Sequence, residues 1–290
     1  EAWGTPQSDE LAASIRAGKL PGPTLYSTGP ITDGNPPSWK ESRVVTNAAE
    51  AEAVVREDKA RGYVGIKVYD ALTPEVYRAI VDAAKVADLP VMGHVPLAVP
   101  LEDVIRARQK SIEHIGSFLN DLATVPLAEA ARMSSKQLFG GEIDDGKLVR
   151  FSRALQEAGV WVCPTLAVFQ MEWPKDRIGV GMQYIPPRYF TRLLKNYEWA
   201  DYPDAALEIA YGMKVLTAFH SAGVRLLPGT DSPRPNVVPG FALHDELGYF
   251  VAAGMTPPQA LAAATSAPAE FLGLEHEFGR IAVGMRADMI

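Results

Sequence analysis

Residues 63–115 alternate between short apolar stretches and stretches with helical spacing. The stretch 63–69, YVGIKVY, precedes a helix over 74–87 opened by Thr73-Pro74, an N-cap with proline at the first helical position. A strand over 89–94, a helix over 100–109 and a short strand over 111–115 follow. These strands are continuously apolar rather than alternating. Strands of that kind are buried on both faces, and a parallel sheet with helices between its strands is what buries them so. The rhythm extends both ways, with further strands near 24, 160 and 224 and helices over 8–17, 46–60, 148–158, 187–199, 205–222, 241–253 and 257–266, then a turn at 268–272. Six strand–helix units result. Parallel strands each followed by a helix close most readily into a (β/α)8 barrel, whose active site sits at the C-terminal ends of the strands.

Composition excludes several partner classes. The chain has 290 residues, 47% of them hydrophobic, and a formal charge of -7, which suits one large globular domain. No apolar run approaches the roughly 18–20 residues of a membrane span, so no membrane partner is expected. Mild acidity with scattered Lys and Arg argues against nucleic acid. Cys163 is the single cysteine, which excludes an intrachain disulfide and a cysteine-based zinc cluster; in VWVCPTL it reads as a core residue. Two stretches break the rhythm. Residues 118–147 hold a short helix near 127–133 and a polar loop, and residues 167–187, rich in Trp, Met, Gly and Pro, read as a long connection over the barrel mouth.

Four strands end on residues with metal or proton chemistry. GIKVYD carries Lys67, VMGHVP carries His94, SIEHIG carries His114 and VRLLPGTDSP carries Asp231. Side chains alternate along a strand, so Lys67 facing inward sends Ile66 and Val68 to the helices. By the same alternation Met92 pairs with His94 and Ile112 with His114, leaving Glu113 facing outward. Neutral imidazole and carboxylate are good ligands for zinc and similar ions, and a buried lysine loses its charge readily. Each residue alone has a blander reading: a hydrogen-bonded strand-end histidine, a lysine paired with an acid, an aspartate capping the next helix. Four together at strand ends favour a site. Tyr69, Arg234 and Asn236 lie beside ligand positions and are candidates for recognising a polar substrate group, although Arg and Tyr are also common loop anchors. His244 opens the helix after the last strand, as a structural residue or a support for the site. His220 and His276 read as exposed.

The ladder IKVYD, GHVP, SIEHIG, LLPGTDSP, PGFALHDEL, AATSAPAEFLGL and GRIAVGMRAD resembles the amidohydrolase superfamily, in its imidazolonepropionase-like branch. The resemblance runs in order through nearly the whole chain. It implies that Lys67 is carbamylated and bridges metal, that His94 and His114 are metal ligands, and that Asp231 both binds metal and moves a proton. It further implies a divalent metal, zinc foremost, in one or two ions. The reaction it implies is hydrolysis of C–N bonds in amide, cyclic-amide or dipeptide-like small molecules by a metal-activated hydroxide.

One family feature is missing. The five histidines, His94, His114, His220, His244 and His276, include no His-x-His pair, which the family carries at the end of its first strand. Both ends of the sequence also look cut. The expected architecture is therefore a partial barrel over residues 1–278, lacking the first two strands and most of the accessory β-sandwich, with 279–290 as the start of the C-terminal sandwich segment. Such a chain is expected to leave open edges at 24–29 and 224–228 and so to self-associate; a homo-oligomer stays open. The alternative reading is a non-catalytic fragment or degenerate barrel that binds rather than hydrolyses. Its compartment is unassigned.

Overall fold

The computed structural model describes residues 2–172, 181–189, 205–232, 234 and 236–289. The chain divides into two compact units, Glu1–Glu113 and His114–Ile290.

In the first unit every strand pair is parallel. Strands β1 (Ala2–Trp3) and β2 (Ser27–Thr28) pair with each other. Strands β3 (Thr32–Asp33), β4 (Arg43–Val44), β5 (Ile66–Val68), β6 (Val91–Gly93) and β7 (Ser111–Glu113) form a sheet in the order β4-β3-β5-β6-β7. The strand expected over 24–29 is thus shorter, and its predicted open edge is occupied. Ala2–Trp3 runs along one side of it, while Gly29 N–H donates to Gly65 O and Val64 N–H to Ser27 O on the other. Pro30, with no N–H to give a ladder, separates this pairing from that of β3.

The helices of this unit start where their capping residues dictate. The helix expected from 46 is Ala48–Arg61, because Asn47 Oδ1 accepts the Glu50 N–H and makes Asn47 the N-cap. It ends at Gly62 in the left-handed region, φ 77°. Thr73 caps Pro74–Val86 as expected, its hydroxyl accepting the Val76 N–H. That helix buries Val76, Tyr77, Ile80 and Ala84, one stripe at helical spacing.

In the second unit, Leu119–Leu122, Leu127–Ala130 and Ser135–Phe139 are short helices, followed by Asp145–Ala158. Strand β8 (Trp161–Cys163) pairs in parallel with β9 (Arg225–Leu226). Between them the chain forms a 3-10 turn at Leu166–Glu172 and the helix Ala205–Ser221. Helices Phe241–Ala252, Pro257–Ala264 and Ser266–Leu272 complete the unit. The connection expected over 167–187 therefore begins as a buried turn, with Leu166 and Ala167 fully covered; residues 173–180 lie outside the described residues. So does most of the helix expected over 187–199. Residues 281–289 form no strand, and Ile281 and Val283 are 89% and 106% exposed, so this segment is not part of the core. Among the described residues no helix is long and apolar enough to cross a membrane.

The architecture is parallel α/β. Six strands expected from the sequence are present and three short ones, β1, β3 and β4, were not anticipated.

Candidate metal and proton-transfer site

Lys67 lies at the centre of β5 and is 6% exposed. Its Nζ forms an ion pair with Glu113. This corrects the expectation that Glu113 faces outward. Lys67 pairs with Met92 and Met92 with Ser111, so Ser111, and with it Glu113, falls on the Lys67 face. Ile112 takes the opposite face and is fully buried there.

His94 follows β6 directly. Gly93, at φ 120°, makes that placement possible: a Cβ on it would sit 2.2 Å from Val68 O. His94 Nδ1 lies 2.7 Å from Asp70 Oδ1, and its ring rests on the Tyr69 ring with centroids 3.9 Å apart. Tyr69 in turn accepts at its hydroxyl from Trp39 Nε1, 2.8 Å away. Buried Gln109 donates from Nε2 to Gly93 O and His94 O. Behind Asp70 sits buried Asp33, whose Oδ1 accepts the N–H of Ala71 at 2.7 Å.

His114 opens the second unit at φ 64°, a left-handed conformation that turns it out of the strand alternation of β7. Its N–H donates to Cys163 O. Its Nδ1 lies 2.6 Å from Thr165 Oγ1. Thr165 is itself at φ 52°, which a β-branched residue rarely adopts. Asp231, at φ 51°, is held by Arg234, whose Nε and second guanidinium nitrogen reach Oδ2 at 2.8 and 2.7 Å. Asn236 is buried and donates to Gln170 O, which makes it an anchor of its loop.

His244 is exposed on the Phe241–Ala252 helix. Glu246, two residues on, is fully buried on one stripe of that helix with Ala242 and Phe250, its Oε2 accepting the Ala167 N–H at 2.8 Å. Burial pushes its carboxyl up to about 8, against the opposing pull of the Ala167, Leu166 and Thr165 N–H groups.

Each unit carries a histidine whose surroundings suit metal ligation. A ligating histidine commonly engages its second ring nitrogen with a carboxylate, hydroxyl or carbonyl, which fixes the tautomer and the ring. His94 and His114 both have Nδ1 so engaged, by Asp70 and Thr165. Among the described residues, no three His, Cys, Asp or Glu are already gathered as a metal cage. Backbone strain clusters at functional sites, and His114, Thr165 and Asp231 all carry it.

Sequence reasoning missed Asp33, Asp70, Glu113, Thr165 and Glu246. Glu246 had a signal: it stands at the middle of the i, i+4, i+8 stripe Ala242, Glu246, Phe250, where an acid should not be. Asp70 had a weaker one, three residues after Lys67 in IKVYD. For Thr165 the sequence offers none.

The profile of a family described as "Amidohydrolase family" matches residues 6–290. No curated protein sequence matches significantly. Among solved structures, the chain is similar to a bottromycin amidohydrolase, at 27% identity and a TM-score of 0.75, with 94% of this chain and 61% of that one covered. It shares its fold with a Xaa-Pro dipeptidase with methionine bound in its active site, at 22% identity, TM-score 0.63 and coverage of 96% and 64%. It does so too with an ochratoxinase from A. niger, at 20%, 0.63, 97% and 62%. The chain thus spans a little over three-fifths of the length of each.

Proposed function

Because the chain belongs to the amidohydrolase family, we propose that it carries most of the catalytic barrel of a metal-dependent hydrolase of C–N bonds in small amide or peptide-like substrates. The observation that carries this is that His94 and His114 each have Nδ1 engaged, by Asp70 and by Thr165, as ligating histidines do. Lys67 and Asp231 complete the donor set. A divalent ion, zinc foremost, would supply a Lewis acid that polarises the scissile carbonyl and activates water near neutral pH.

The residues divide the remaining work. Arg234 engages Oδ2 of Asp231 twice, which directs proton exchange to Oδ1. There Asp231 accepts the proton of the attacking water as the C–O bond forms, and returns it to the nitrogen as the C–N bond breaks. Lys67 as an ammonium matches Glu113. As a carbamate it would set a second anion beside that carboxylate, so carbamylation and binding of a cation support each other. Tyr69, stacked on the His94 ring and bonded to the half-exposed Trp39, is better placed than Arg234 or Asn236 to form a substrate wall, since those two are bound to Asp231 and to the Gln170 carbonyl.

The chain contains no His-x-His pair, so its own donors suit one ion. Metal analysis with and without added bicarbonate tests this, together with hydrolysis of a panel of N-acyl amino acids, dipeptides and cyclic amides. This 290-residue chain should bind at most one divalent ion, more tightly with bicarbonate, and show no more than trace hydrolysis. Joined to a segment that supplies a His-x-His strand, the chain should hydrolyse at least one substrate class and lose that activity to a chelator. Hydrolysis that survives metal removal overturns the proposal. A joined chain that binds no metal and hydrolyses nothing supports the alternative of a binding barrel.

A further inference from the structure

The Glu246 carboxyl has no role in the chemistry above, yet it is enclosed in the second unit and meets a strained turn. The Ala167 N–H donates to its Oε2 at 2.8 Å, and the neighbouring N–H groups of Leu166 and Thr165 also favour its ionised form. Successive N–H groups next to a left-handed residue favour an acceptor oxygen, and here the helix Phe241–Ala252 supplies that oxygen from inside the protein. Ala167 also lies in a fully buried cluster with Val237 and Ala242, so the turn and the helix touch through apolar groups as well. Thr165, the first residue of the turn, is the one whose hydroxyl meets His114 Nδ1 at 2.6 Å.

We propose that Glu246 is a positioning residue for His114: by accepting the Ala167 N–H it anchors the turn that holds Thr165 in its left-handed conformation, and Thr165 in turn fixes the ring orientation and tautomer of His114. The inference rests on the reading of His114 as a metal ligand. Without an acceptor at 246 the turn has no reason to keep Thr165 at φ 52°, and the hydroxyl leaves the imidazole. For Nε2 to present a lone pair, Nδ1 must carry the proton and donate it, and Thr165 Oγ1 is the acceptor that selects this tautomer.

The first unit repeats the device with different residues. Buried Asp33 holds the Ala71 N–H, and Asp70 beside it holds His94 Nδ1. An acid binding backbone N–H groups supports the turn, and the turn supports the histidine.

The test uses the intact protein, Co2+ as the probe, and the variants Glu246→Gln, Glu246→Asp and Glu246→Leu. Glutamine keeps the acceptor at its full reach; aspartate withdraws it by one methylene; leucine removes it. Metal titration followed by the visible Co2+ spectrum reports the ligand field, which a change in global stability alone does not move. NMR of labelled histidine reports the His114 tautomer. Glu246→Leu and Glu246→Asp should weaken Co2+ binding about 10- to 100-fold, alter the spectrum and shift the His114 ring-nitrogen signals. Glu246→Gln should restore all three to within about threefold of the parent affinity. If Glu246→Leu fails to fold, Glu246→Asp decides alone. A folded Glu246→Asp or Glu246→Leu with parental affinity, spectrum and tautomer overturns this inference while leaving the metal reading intact. A parent protein whose Co2+ spectrum is unchanged by His114→Ala overturns the reading of His114, and this inference with it.

Discussion

Glu246→Gln should make the protein's stability markedly less sensitive to pH, and the size of the effect follows from the structure. The Glu246 carboxyl is raised from its ordinary 4.5 to about 8, first by burial, with the N–H groups of Ala167, Leu166 and Thr165 opposing. Between those two values the folded chain keeps a proton that the unfolded chain has released. Stability must then fall as pH rises from about 4.5 to about 8, and level off above, where both states have lost the proton. At about 1.4 kcal/mol per pH unit the full loss is on the order of 4–5 kcal/mol, a large part of the 5–15 kcal/mol a domain typically has.

Glutamine cannot ionise, so the variant does not incur this loss. Its stability relative to the parent should rise by about 4 kcal/mol between pH 5 and pH 9, since a little of the penalty is already present at pH 5. Urea denaturation of both proteins at pH 5, 7 and 9 reads the difference, and every other titrating group cancels in it. A difference constant to within about 1 kcal/mol across that range would refute the argument. It would mean that the three N–H groups compensate the burial and that Glu246 ionises inside the fold at no cost.

Three further outcomes are expected. Asp70→Asn, which replaces the carboxylate on His94 Nδ1, should weaken divalent-metal affinity about 10- to 100-fold with the melting temperature little changed, as read by metal titration and calorimetry. Arg234→Met releases Asp231 Oδ2 and should lower kcat of the intact enzyme about 100-fold by misplacing the proton acceptor, with metal content retained; steady-state kinetics beside metal analysis checks both. Gly93→Ala should destabilise the chain by roughly 3 kcal/mol or more in urea denaturation, because its Cβ would meet Val68 O at 2.2 Å and a backbone atom cannot step aside.

The sheet was legible in the sequence because the signals that encode it are local. Continuous apolar runs marked β5, β6 and β7, and Thr73-Pro74 marked the start of Pro74–Val86 to the residue. The unanticipated strands β1, β3 and β4 have two residues each. Pairs that short leave no periodicity to detect; they exist because a neighbouring strand offers its edge. The placement of Glu113 failed for a related reason. Alternation fixes which residues of one strand share a face, but not which face, and extrapolating inward from His114 ignored that His114 leaves the strand at φ 64°. Only the register with Met92, a contact between strands, assigns Glu113 to the Lys67 side.

The candidate site shows the same division between what one residue type can announce and what only packing can supply. Histidine, lysine and aspartate at strand ends were visible because few residue types do that chemistry. The residues that aim them were not, because an aspartate or threonine in a turn is the commonest residue such a turn can have. Yet the fold surrounds each histidine with two tiers: Asp70 and Thr165 touch the rings, and Asp33 and Glu246 hold the turns that present them. The outer acids bind backbone N–H groups, which every residue type possesses, so they can be placed wherever the chain brings a carboxyl within reach. That freedom explains why Asp33 lies at the end of β3, 38 residues before the N–H it binds, while Glu246 arrives from a helix 79 residues after its own. An outer acid is therefore detectable in a sequence only when it breaks a pattern. Glu246 breaks one, as the acidic member of a buried helical stripe; Asp33, at the head of a Gly- and Pro-rich stretch, breaks none.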